Sequence, residues 1–142
     1  MDWNNVLSPG EKIIEEFGVA SKYVTFEFIV GILTLPLFGF GVISILFALY
    51  HKSAYQYAFT NKRVLSQSGW LSKKLSSVDY DRITDTHISQ GFLEKLLYNS
   101  GRLLVNTSGT TFFEINLDKI DNPYARRQQL MQLIEQNRSP KV

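Results

Sequence analysis

"FALYHKSAYQYAFTNKRVLSQSGWLSKKL", residues 47–75, starts as an apolar run and turns, within four residues, into alternating sequence punctuated by turns. Tyr55, Tyr57 and Phe59 fall on one face and Gln56 and Ala58 on the other, the period of a half-buried strand. Asn61 and Lys62 can turn that strand. "RVLSQSG" reads as a second strand closed by Gly69, Trp70 and Leu71 open another turn, and "SKKLSSVDY" supplies a third strand. Apolar sequence therefore feeds directly into antiparallel hairpins, with no linker.

Upstream, "FIVGILTLPLFGFGVISILFALY", residues 28–50, holds no charged side chain. One helix over that run would rise about 34 Å, enough to cross a hydrocarbon core of about 30 Å. Pro36, Gly39 and Gly41 interrupt it, however, within six residues. A turn there would give two helices, about Ser21–Leu35 and Leu37–Tyr50, each about 20 Å long and short for an ordinary bilayer. The residues leave both topologies open. Glu27 would lie in the first helix, where a carboxylate needs the interface or a partner. His51, Lys52, Lys62 and Arg63 follow the run, which by the positive-inside rule sets the following domain in the cytoplasm. The run is no secretory signal: about twenty mostly polar residues precede it, with no basic leader.

Downstream, "DRI" at 81–83 is a short connection and "TDTHISQ" a fourth strand, completing a meander. "GFLEKLLYNSG" shifts to helical spacing at Phe92, Leu93, Leu96 and Leu97. "RLLVNTS" and "TTFFEINL" flank Gly109 as a hairpin. In "DNPYARRQQLMQLIEQN", Asn122 suits an N-cap, Pro123 the first helical position, and Leu130, Leu133 and Ile134 line one face. That helix should cap the sheet.

These landmarks resemble, in order, the bacterial pleckstrin-homology-like domain of the membrane-flanked (bPH2-type) family. The likeness runs from about Ala54 to Glu135, through "AFTNKR", the Ser-Gly-hydrophobic turn, "DRITD" and "FLEKLL", and "SPGEKII" resembles the family's lead-in. The resemblance implies a mainly β fold with helices: a membrane helical hairpin with both ends cytoplasmic, then a PH-like antiparallel barrel or curved sheet capped by a C-terminal helix. "EKIIEEF" could then add a strand. The expected organisation is a lead-in at 1–20, a membrane segment at 21–51, the PH-like domain at 54–137 and a tail at 138–142, integral to the cell membrane.

Catalytic signatures are scarce. There is no cysteine, no Gly-rich phosphate loop and no His-Glu-x-x-His, so neither a cofactor nor a metal site is expected. Asp85, His87 and Ser89 share one strand face, but residues two apart are about 6.6 Å distant, and a solvated polar face is the simpler account. "RRQQ" at 126–129 reads as the wet side of the last helix. The most suggestive feature is Trp70 beside Lys73 and Lys74, with Lys62 and Arg63 one strand away: an aromatic tip among cations suits a membrane surface. An ordinary solvated hairpin is the simpler account there too.

Charge is uneven. Residues 1–22 carry a net −2, and everything after His51 a net +5. That excess suits an anionic lipid surface but is too small and scattered to prove one, and nucleic acid is the weaker reading. The expected function is a non-enzymatic, membrane-anchored module offering its barrel to a protein, a lipid headgroup or another copy of itself. The alternative is an accessory subunit of a transporter or of a membrane-stress or antimicrobial-resistance system.

Overall fold

The computed structural model describes residues 3, 5–34, 40–108 and 115–138. Among the described residues, seven strands form two antiparallel sheets. The first sheet comprises β1 (Ile13–Gly18), β2 (Tyr55–Thr60), β3 (Arg63–Ser68) and β4 (Lys74–Asp79), in that spatial order. The second comprises β5 (Ile83–Ser89), β6 (Ser100–Thr107) and β7 (Ile115–Asp121). A 3₁₀ turn, Tyr80–Arg82, carries the chain between them, and the interval between β5 and β6 holds a π-helical turn, Glu94–Tyr98.

β1 pairs with β2, Phe17 opposite Tyr57, so "EKIIEEF" does add a strand. The two helices between them, α1 (Ser21–Thr34) and α2 (Phe40–Ala54), are thus an excursion between neighbouring strands rather than a leader ahead of a domain. α2 runs into β2 at Tyr55 without a linker, taking His51 and Lys52 into its last turn.

The expected membrane hairpin is overturned by the helix lengths. α1 has 14 residues and α2 15, or about 21 and 22 Å, against about 30 Å of hydrocarbon. Among the described residues no helix is long and apolar enough to cross a membrane. The integral-membrane localisation built on that hairpin falls with it. The fold class changes as well: in place of a mainly β barrel behind a hairpin, the chain is mixed α/β, with two separate sheets and a C-terminal helix. A meander reading missed the split because the 3₁₀ turn redirects the chain where only a short connection was expected.

The core lies between the sheets. Tyr57, Phe59, Val64 and Val78 from the first meet Leu103, Val105, Ile115, Leu117 and Ile120 from the second. α3 (Pro123–Arg138) closes it with Leu130, Leu133 and Ile134, the three side chains its spacing sets on one face. Tyr57 crosses the core at full burial and bonds Asp118 of β7 twice, its hydroxyl donating to the carbonyl at 3.1 Å and accepting from the amide at 2.9 Å. The outer face of the first sheet is covered too. Trp3, Val6, Leu7 and Ile13 pack over Ala58 and Leu65.

Candidate functional site

The β3–β4 turn is built around Gly69, whose φ of +103° is costly for any other residue. A Cβ there would stand 1.9 Å from the Ser72 carbonyl oxygen. Its amide donates to the Ala54 carbonyl at 2.7 Å, tying the turn to the end of α2. Held this way, the tip turns Trp70 and Leu71 outward, 65% and 91% exposed, with Lys73 and Lys74 exposed beside them. Next to it a polar recess of about 250 Å³ opens between the sheets, lined by Lys74, Tyr55, Ser66, Ser76, Asn116 and Asp118. Asp118 is held there by Arg102 at 3.1 Å.

Lys62 and Arg63 do not join this group. Arg63 pairs with Asp79 and Ser68 with Lys74, so the two basic pairs stand at opposite ends of β3, about 17 Å apart along a six-residue strand. Lys62 is exposed. Arg63 is only 20% exposed and occupied: its Nε and Nη2 meet the two oxygens of buried Glu11 at 2.9 Å each, and Nη2 also donates to the Val6 carbonyl at 3.0 Å. Glu11 accepts further from the Ser8 amide and the Thr60 hydroxyl. Burial pushes its carboxyl up, but these donors and the guanidinium outweigh it and hold the pKa at about 2, from 4.5. This cluster clamps the lead-in to the β2–β3 turn.

Glu27 finds its partner inside the protein. Tyr23, one turn earlier on α1, donates its hydroxyl to Glu27 Oε1 and accepts from Lys119 Nζ of β7 at 2.6 Å. Lys119 Nζ also lies 3.2 Å from Nε2 of His51 on α2. A charged Lys119 can only donate, so this contact favours a His51 ring whose Nε2 is unprotonated. Burial first, and then the Lys119 charge, lower the His51 pKa. The Lys119 pKa is itself lowered, chiefly by burial. Lys119 takes a φ of +55°, and its carbonyl accepts from the Ala20 amide at 2.7 Å, so one residue straps both helices to the second sheet. Glu27 was expected to need a partner, but Tyr23 was missed, although its place one turn earlier is a local signal. Lys119 and His51 carried no local signal, because their meeting is made by the tertiary fold alone.

Of the breakers, Pro36 and Gly39 lie outside the described residues. Gly41 faces Gly31 where the helices meet: a Cβ on Gly31 would come 3.1 Å from the Gly41 carbonyl oxygen and 2.6 Å from Ile45 Cγ1.

The β5 triad is partly assembled. His87 Nε2 meets Asp85 Oδ2 at 2.8 Å, closer than strand spacing implies. Both are more than half exposed, on an outer strand of the second sheet. "RRQQ" is less wet than expected, since Arg126 pairs with Glu15 and covers the Phe17 ring, and Arg127 donates to the Thr86 hydroxyl at 2.9 Å.

Compared with known proteins, residues 14–140 match the family model described as "Bacterial PH domain". A solved structure, that of a DUF1696-family protein with a pleckstrin-homology domain from Shewanella loihica, is similar in fold, with a TM-score of 0.55 at 13% identity over 93% of this chain and 89% of that one. None of the curated proteins matches.

Proposed function

The chain belongs to the bacterial PH domain family, and from that premise we propose that it is a non-catalytic binding module whose contact surface is the Trp70 turn and whose partner is a protein presenting acidic side chains. One observation carries this reading: an aromatic and a leucine face solvent on a tip that Gly69 and the Ala54 carbonyl hold in place, with Lys73 and Lys74 on its flank. A rigid exposed tryptophan is the residue type that anchors interfaces, worth about 2 kcal/mol or more when covered, whereas rim lysines steer approach and set charge preference. The adjoining recess offers hydroxyls and an ammonium to a polar side chain arriving with the partner.

The test is a photo-crosslinking side chain placed at Leu71 of the full chain in its native cells. A discrete protein adduct is expected, lost when Lys73→Gln and Lys74→Gln are combined. An adduct indifferent to those lysines, or equally strong with the crosslinker at Lys62 on the opposite end of β3, would sink the reading.

A further inference from the structure

The helix pair leaves most of its apolar surface uncovered. Phe26, Ile29 and Leu33 of α1 and Ile43, Leu46 and Phe47 of α2 are exposed, Leu33 by 76%. The π-helical region continues the α1 surface. Tyr98 packs edge-on against Phe26 at 5.0 Å between ring centroids, Leu97 shares a hollow with Phe26 and Ile29, and Phe92 is 79% exposed. Helices apolar on every side are buried in stable proteins. Here each buries little more than the stripe facing its neighbour. At roughly 100 Å² for each half-exposed large side chain, the exposed ones named here come to on the order of 800 Å². That exceeds the about 300–600 Å² of an ordinary monomer's largest patch and meets the about 800 Å² per partner of a stable interface.

We infer that this surface pairs with the same surface of a second copy of the chain. Two features favour a second copy over a foreign protein. No charged side chain occurs from Phe28 to Tyr50, so the part of the patch those residues supply can face its own copy across a two-fold axis without opposing like charges; Glu27, at its margin, is engaged by Tyr23. The patch also carries both halves of a self-complementary fit. Phe26, Glu27, Val30, Ser44 and Phe47 line a cleft of about 270 Å³ between the helices, and Ile43 and Leu46 stand exposed next to it on α2. The cleft of one copy can receive the side chains of the other.

The inference uses none of the residues assigned to the Trp70 turn, so the two readings fail separately. Sedimentation of the full chain at micromolar concentration in detergent-free buffer should give a dimer, unchanged by Trp70→Ala. Leu33→Gln with Leu46→Gln should raise the dissociation constant at least a hundredfold. Both positions are exposed in the single chain, so circular dichroism of that variant at dilution should match the parent. The chain has no cysteine, so Leu46→Cys supplies a single thiol that should oxidise to a linked dimer, while Ser77→Cys on β4 should not. A monomer at 100-fold higher concentration would overturn the inference. So would a dimer indifferent to the two glutamines, or monomers that settle on phosphatidylcholine vesicles instead of pairing.

Discussion

The strand body and the helix pair spend similar apolar sequence in opposite ways. In the body, Tyr57, Phe59, Leu103 and Leu117 are wholly covered by two sheets and α3. Among the described residues of the helix pair, the covered ones are Val24, Gly31, Gly41, Ala48 and Ala54, a narrow line of small side chains, while leucines and isoleucines face outward. Apolar sequence states a need for burial without stating what meets it. In the body, the chain meets that need with its own strands and terminal helix. In the helix pair, the need stays open to another molecule.

The sharpest way to break this comparison is one substitution in each region. Leu130→Ala empties a fully buried site between α3 and the sheets and should cost about 2–5 kcal/mol. Leu33→Ala, removing the same atoms from an exposed site, should cost under about 0.5 kcal/mol in the dilute single chain. Urea unfolding measures both. Similar losses would mean that the helix pair is covered within the chain after all.

A second contrast sets the two ends of β3 against each other. Arg63→Ala strands buried Glu11 without its cation and should cost about 3 kcal/mol, whereas Lys73→Ala at the exposed turn should be nearly silent. The pH dependence follows from the carboxyl held at about 2 against 4.5 unfolded. A carboxyl of depressed pKa contributes stability above the unfolded value and loses it as pH falls from 4.5 towards 2. Glu11→Gln should flatten that limb of the stability profile. An unchanged acid limb would remove Glu11 as its source.

How much of this was legible in the sequence depended on how local the cause was. The period of Tyr55, Tyr57 and Phe59, the turn at Gly69 and the spacing of Leu130, Leu133 and Ile134 are local, and each named its element and buried face, as the ordered landmarks named the family. The engagement of Arg63 by Glu11, 52 residues earlier, was not legible: beside Lys62 it reads as one more surface cation, and only the return of the lead-in to the β2–β3 turn gives it an acid. The membrane reading failed for a related reason. Hydropathy over residues 28–50 reports apolarity, but the helices that form are set by where the chain breaks, and neither is long enough. Phe92, Leu93, Leu96 and Leu97 share that lesson: their helical spacing was visible, but they face solvent, and Tyr98 is the residue that turns inward to the rings of Tyr23 and Phe26.

The smallest expected effect lies at the junction of the two regions, where His51 on α2, Tyr23 and Glu27 on α1 and Lys119 on β7 meet. The His51 pKa lies below its ordinary 6.5 because burial, and then the Lys119 ammonium, disfavour a second positive charge there. Glu27 and Asp118 pull the other way without reversing the shift. When pH falls below 6.5 the unfolded chain binds a proton at His51 that the folded chain resists, so stability declines from that point until the folded ring is protonated too. This window opens at a higher pH than the one set by Glu11, which starts at 4.5. The loss should be local before it is global, because a protonated ring 3.2 Å from Lys119 Nζ repels the residue that straps the helices to the second sheet. Relative to the intrinsic rate at each pH, hydrogen exchange at pH 5.5 should therefore quicken in the amides of α1 and α2 while β2 and β6 stay protected, and His51→Gln should abolish the difference in protection between pH 5.5 and 7.5. Exchange that quickens equally in the helices and the strands would mean that the two regions open as one unit, and the contrast between them would hold for their surfaces alone.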